Sequence, residues 1–214
     1  MILAETTSWG QDITVGDEVV IQRDWDADSL ELLEPYLFKT LTAEQIEQIS
    51  PSAFRVLDAE QVAYLSEKAL TGLQVEQFQA LSSEALSGFT ADNIGGLSTA
   101  IMGELSAVQL ETLSPAAFGG IQAEQVAPWS KETLGSLNVE QFAQLSPASL
   151  GGLMAENMEG LSTAVIYELG PEHIAVLDAQ AFGAMPTEEI STVFIHLNGD
   201  TVKAQDAERL LPEG

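Results

Sequence analysis

Three aspartates at alternate positions, Asp24, Asp26 and Asp28, open the run Asp24-Trp25-Asp26-Ala27-Asp28 as a calcium loop opens, with carboxylates poised around a hard cation. The remainder of such a loop is missing: Ser29 stands where glycine makes the sharp turn, and Pro35 where a bidentate glutamate would close the shell. Calcium is therefore the one cofactor the chain suggests, against the plainer reading of a solvated acidic start to a helix. A second set of carboxylates falls on a regular period, at Glu44, Glu60, Glu76, Glu124, Glu140, Glu156, Glu172 and Glu188. Lined along one edge, they would attract cations or a basic partner; in the first turn of a helix, they also simply complement its dipole. The two histidines, His173 and His196, belong to no HExxH motif, and no phosphate loop or Gly-x-Ser-x-Gly elbow is present. Serines are abundant without an accompanying general base, so the chain reads as non-enzymatic. Tyr64 and Tyr167 occupy variable, exposed positions and are the candidates for partner contact, whereas Trp129 substitutes in an apolar column and reads as core.

Seven basic residues against thirty-three acidic ones leave a net charge of −26 over 214 residues. That field repels phosphate backbones, so nucleic acid is not an expected partner. A hydrophobic content of 45% is too high for a disordered tail. No apolar run is long enough to span a bilayer, so membrane insertion is not expected. Cysteine is absent, which removes disulfides and thiolate metal sites. The start, Met1-Ile2-Leu3-Ala4-Glu5, shows neither the basic nor the long apolar region of a signal peptide.

The elements that must position these residues come from a repeat. Glu44-Gln45-Ile46, Glu60-Gln61-Val62, Glu76-Gln77-Phe78, Asp92-Asn93-Ile94 and their successors down to Glu172-His173-Ile174 recur at a spacing of 16. With repeats counted from Leu41, positions one, six, nine and fourteen are apolar columns. Position ten is serine from Ser50 to Ser162 and then Asp178, favoured N-caps, with Pro51, Pro115 and Pro147 following at the first helical position. Position two caps less strictly, through Thr42, Asp58, Thr90, Ser106 and Asn138, and Gln45, Gln61, Asn93, Gln109 and Gln141 sit three residues on as capping-box partners. Each repeat is thus a doubled octad holding two short helices. Glycines crowd positions fifteen and sixteen, where a helix would leave through a left-handed or tight turn. The pairs Asn93/Gly96 and Asn157/Gly160, with their shared Leu-Ser-Thr-Ala runs, point to a block of four repeats duplicated once.

The expected fold is mainly α: a right- or left-handed solenoid of ten 16-residue coils, two short helices per coil, with a small β-hairpin as N-terminal cap. Residues 1–40 form that cap, with a hairpin of Ile13-Thr14-Val15 and Glu18 to Gln22 turning at Gly16-Asp17, then a helix capped by Asp28-Ser29. Residues 41–198 are the solenoid. Residues 199–214 are a C-terminal cap or the start of a linker, with a turn at Asn198-Gly199-Asp200 and a last helix from Gln205 to Leu211.

The motif Leu-Thr/Ser-x-x-Gln-Val/Ile-x-x-Leu-Ser, as in Leu41-Thr42-Ala43-Glu44-Gln45-Ile46, resembles short repeats of large bacterial secreted or cell-surface adhesin-like proteins. The resemblance covers residues 41–198 and implies an exported, non-enzymatic region, secreted or on a bacterial cell surface; it carries over no functional residues. The function expected is a structural or interaction module, an acidic rod serving as spacer or adhesive surface. Its partner would be a protein or glycan, or other domains of the same chain. The alternative is an acidic inhibitor or DNA mimic occupying a basic protein surface, and a third is calcium-linked folding or adhesion.

Overall fold

The structure is a computed structural model that describes residues 13–15, 18–20, 27–31, 33–187, 189–191 and 193. The chain divides into two compact units, Met1–Ile101 and Met102–Gly214. Both are mainly helical, built of short helices in a repeated pattern. At the start, strands β1 (Ile13–Val15) and β2 (Glu18–Val20) pair antiparallel, with Ile13 opposite Val20, Thr14 opposite Val19 and Val15 opposite Glu18.

Each octad is a one- to two-turn helix closed by a corner of two extended residues. Thr42 and Gln45 show how the helix begins: the Thr42 hydroxyl accepts from the Gln45 N–H, and Gln45 Oε1 accepts from the Thr42 N–H at 2.8 Å. Asp58 with Gln61, Ser106 with Gln109 and Asn138 with Gln141 repeat both limbs. In the second octad, Ser66, Ser82, Ser130 and Ser162 each accept from the N–H three residues on. Two of these octads depart from the pattern: Pro51–Val56 and Pro115–Gly120 are 3₁₀ helices, with no capping bond from the Ser50 or Ser114 side chain, whereas Pro147–Leu150 is α-helical and Ser146 accepts from the Ser149 N–H.

The corners are made by the apolar columns, where the sequence reads glycine. Ile49, Leu57, Leu65 and Leu81 end their helices in extended conformation, and the capping residue that follows each is extended too. Among the glycines from Gly72 to Gly183 with described surroundings, none has a left-handed backbone. They serve close approach. A Cβ on Gly72 would stand 2.0 Å from the carbonyl oxygen of Ala43, one on Gly88 2.1 Å from that of Ala59, and one on Gly152 1.9 Å from that of Ala123.

Those contacts fix the stacking. In the N-terminal unit, Ala27–Glu31, Pro51–Val56 and Val75–Ala80 pack in one column. Pro35–Thr40, Ala59–Tyr64 and Ser83–Leu86 form a second, and Ala43–Gln48, Glu67–Leu70 and Ile94–Gly96 a third. The C-terminal unit does the same. Ala107–Thr112, Lys131–Gly135, Ala155–Met158 and Ala179–Gly183 form a column, as do Pro115–Gly120, Val139–Phe142 and Thr163–Ile166, and Ala123–Val126, Pro147–Leu150 and Pro171–Ile174. Within each unit, the octads of these columns therefore each pack on the third octad before them. A coil of two helices would have stacked each octad on the second one before it; the packing corrects that expectation, because three corners rather than two bring the chain back over itself. Since the sequence alternates two octad types and stacking skips an odd number, a glutamine-bearing octad always lies on a serine-capped one.

The four apolar columns are buried as the sequence requires, Leu41 through Met185 at position one among them. A fifth column sits at position thirteen, where Ala53, Ala69, Ala85, Ala117 and Ala181 are all 0% exposed. Ala27–Glu31 and Pro35–Thr40, which the sequence assigns to the N-terminal cap, pack in these columns as repeat octads do. In that register, Asp28-Ser29-Leu30 takes the place of Glu-Gln-Ile, and Glu34-Pro35 that of Ser-Pro. The expected turn at Asn198-Gly199-Asp200, the helix from Gln205 and the hairpin turn at Gly16-Asp17 lie outside the described residues.

Gly72→Ala is expected to cost at least about 1–3 kcal/mol in a denaturant titration, as forced overpacking against backbone does. Gly183→Ala, with nothing within 4 Å of its Cβ, is expected to be neutral or to stabilise by up to about 1 kcal/mol through helix propensity.

Candidate functional site

The most regular polar residues in the chain meet backbone. Gln61, Gln77, Asn93, Gln125, Gln141 and Asn157, at position five, are buried. Gln77 Nε2 donates to the carbonyls of Ile46 at 2.8 Å and Ile49 at 2.7 Å, 31 and 28 residues earlier. Gln61 reaches Leu30 and Leu33 in the same way, Asn93 reaches Val62 and Leu65, and Gln141 reaches Leu110 and Leu113. Each pair of carbonyls flanks a corner, and the earlier one also accepts the corner residue's own N–H, as Ile46 does from Ile49 at 3.2 Å. The same amide oxygen accepts the N–H at position two, even where that residue cannot cap, as from Met154 to Asn157 at 2.8 Å. The sequence shows the second job and hides the first.

Position thirteen is the equivalent place in the other octad. There the Thr133 hydroxyl donates to the Leu105 carbonyl at 2.7 Å and the Ser149 hydroxyl to that of Ile121 at 2.6 Å. Asparagine at position five is one methylene shorter than glutamine, and it comes with a glycine at position eight. A Cβ on Gly96 would lie 2.1 Å from the Glu67 carbonyl oxygen, and one on Gly160 2.4 Å from that of Lys131. At Asn93 the glycine lets the backbone close the distance that the shorter side chain cannot span, whereas Asn157 reaches one carbonyl, that of Ala127, at 3.3 Å.

His173 occupies the same column. Its Nδ1 accepts the Gly170 N–H at 2.9 Å, which assigns the proton to Nε2, and its ring meets Phe142 edge-on at 5.3 Å between centroids. The histidine thus retains the capping limb, and a ring contact takes the place of an amide bond. His196 lies outside the described residues. Trp129 is core, as the column requires, 2% exposed and edge-on to Phe118, though its buried Nε1 finds no hydrogen-bond partner.

Of the calcium candidates, Asp24 and Asp26 lie outside the described residues, and Asp28 is exposed in the first turn of Ala27–Glu31. Among the described residues, no group of three or more His, Asp or Glu side chains is placed to hold a metal. The glutamates at position four are exposed from Glu44 to Glu172. They do not form one edge: Glu44, Glu60 and Glu76 fall in three different columns, because the repeat advances by two octads and the stack by three. Glu44 has its carboxyl held below the usual range by a backbone hydrogen bond at its helix start and by the Thr42 hydroxyl. Its contribution to stability is present above the unfolded carboxyl pKa and is lost as pH falls through the lower folded value. Lys131 pairs with Glu159 across stacked octads, both side chains about half exposed.

Tyr64 and Tyr167 are 41% and 49% exposed, and Tyr36 at 48% joins them. Val108, Met154 and Val176 are also exposed. Tyr36 is invisible as a repeat position in the sequence because it lies in the segment that reads as cap. The chain matches no protein-family model, and a search of curated proteins finds no match.

Replacing Gln77 by leucine is expected to cost roughly 2–4 kcal/mol, since it removes two buried bonds and one capping acceptor. Gln77→Glu is expected to cost more at pH 7, where a carboxylate would face two carbonyls, and less near pH 4, where the neutral acid can donate. The sign follows from a buried carboxyl whose folded pKa is raised, so that stability increases as pH falls. Urea titrations of both variants at the two pH values check this.

Proposed function

We propose that the chain is a non-enzymatic structural or interaction module: an acidic solenoid of stacked octads that spaces other domains or presents an adhesive surface to a protein or glycan. The observation that carries this reading is where the invariant polar residues go. Position-five amides and position-ten hydroxyls are used on backbone N–H and C=O groups, so the regularity of the sequence serves the stack. Recognition is left to exposed, variable side chains. The hairpin acts as the N-terminal cap. The packing of β2 against Pro35–Thr40, a helix of one column, supports this. The resemblance to adhesin-like repeats supports a secreted or bacterial cell-surface setting.

A specific feature favours the second reading, an acidic inhibitor or DNA mimic. From Ala69 to Ser130 the chain carries no lysine or arginine, while Glu76, Glu84, Asp92, Glu104, Glu111 and Glu124 are all present. Within each unit, carboxylates unopposed by base draw basic proteins at long range and release them as salt rises.

Small-angle X-ray scattering in about 0.15 M salt, above the range where self-repulsion dominates, is expected to give the profile of an elongated particle with a constant cross-section. A globular profile would contradict the solenoid, and tight salt-sensitive capture of a DNA-binding enzyme would favour the mimic.

A further inference from the structure

Tyr36 and Tyr64 lie on stacked octads of one column, Pro35–Thr40 and Ala59–Tyr64. They are 28 residues apart, the offset at which Gln61 reaches the Leu33 carbonyl within this column and at which Lys131 meets Glu159 in the other unit. The stacking register therefore makes the two tyrosines neighbours on successive rungs, and exposures of 48% and 41% put both rings in solvent. At the matching offset in the same octad type elsewhere, the pairs are Ser52 with Ala80 and Lys68 with Gly96 in this unit, and Ala116 with Gln144, Glu132 with Gly160 and Ala148 with Val176 in the other. The aromatic pair is particular to this column.

Charge selects the partner. The same three octads expose Glu34, Glu60 and Glu84, with Lys39 as the one base among them. A ring face attracts a guanidinium through its quadrupole, and neighbouring carboxylates give that cation a hydrogen-bond acceptor. Stacked elements are about 8–10 Å apart, and an extended peptide places side chains two or three residues apart at about 7–10 Å. Two arginines on one extended segment thus match two rungs. We propose that the Tyr36–Tyr64 face binds an arginine-bearing basic segment of a partner protein. This rests on the interaction reading above and names its partner class.

The test uses the full chain and fluorescently labelled hexa-arginine and hexa-lysine peptides, followed by anisotropy at low and physiological salt. Hexa-arginine is expected to bind more tightly than hexa-lysine, and the double variant Tyr36→Ala/Tyr64→Ala to bind it roughly tenfold more weakly, from a few-fold per ring. Tyr36→Phe/Tyr64→Phe, which retains both rings, is expected to restore most of the affinity, and Tyr167→Ala to leave it unchanged. Equal affinity for the two peptides, no binding of hexa-arginine at low salt, a double alanine variant that binds as the parent does, or a loss equally large in Tyr167→Ala each overturns the proposal. An elongated scattering profile alongside any of those results leaves the spacer standing without this site, so the two failures are distinguishable.

Discussion

The structure depends on a buried side-chain amide that bonds two ways at once. At position five of the repeat, one carboxamide closes the capping box of its own helix and donates to the carbonyls flanking a corner 28 and 31 residues earlier. Extended corners are necessary because octads this short must turn after each helix, and they leave acceptors that a buried chain must satisfy. The amide supplies the donor at that place. It therefore couples the local rule, where a helix starts, to the long-range one, which octad lies beneath it.

From that coupling the other sequence preferences follow. The neighbouring octad must come close enough for the amide to reach, so position thirteen is most often alanine or a small hydroxyl residue, with Ile101 and Val165 the buried exceptions, and glycine recurs where backbone meets backbone. Where glutamine shortens to asparagine at Asn93, Gly96 draws the backbone nearer and both corner bonds are kept. The hydrophobic columns drive burial without choosing a register, since leucine packs on leucine at many offsets; the amides, with their fixed reach, choose it. The charge on the surface is then almost entirely carboxylate, scattered over three columns in each unit instead of massed on one edge.

Much of this is legible in the sequence. Period-sixteen apolar columns mark the core, and Thr42, Asp58, Ser106 and Asn138 with their Gln partners mark the helix starts, because capping is a local interaction with a fixed spacing. What does not show is the number of octads in a turn of the stack. That number is set by the angle of corners such as Leu57-Asp58, which leaves no mark on the repeat length, and a period of two octads suggests two. Glycine misleads for a related reason: a left-handed turn and a close approach both demand it, and only the position of Ala43 relative to Gly72 tells them apart. Tyr36 escapes notice because Ala27–Glu31 and Pro35–Thr40 follow the packing of the repeat without its consensus letters. The calcium reading of Asp24, Asp26 and Asp28 rests on sequence still.

The central claim is that, within each unit, octads pack on the third one before them and the two octad types must alternate down each column. Two internal deletions test it directly. Removing two octads, 57–72, preserves the alternation, whereas removing only one, 65–72, sets glutamine-bearing octads on one another across the cut and serine-capped octads likewise. In thermal melts followed by circular dichroism, the larger deletion is expected to retain a cooperative transition close to that of the parent, and the smaller one to melt far lower or without cooperativity. Equal stability of the two, or a more stable single-octad deletion, would contradict the account.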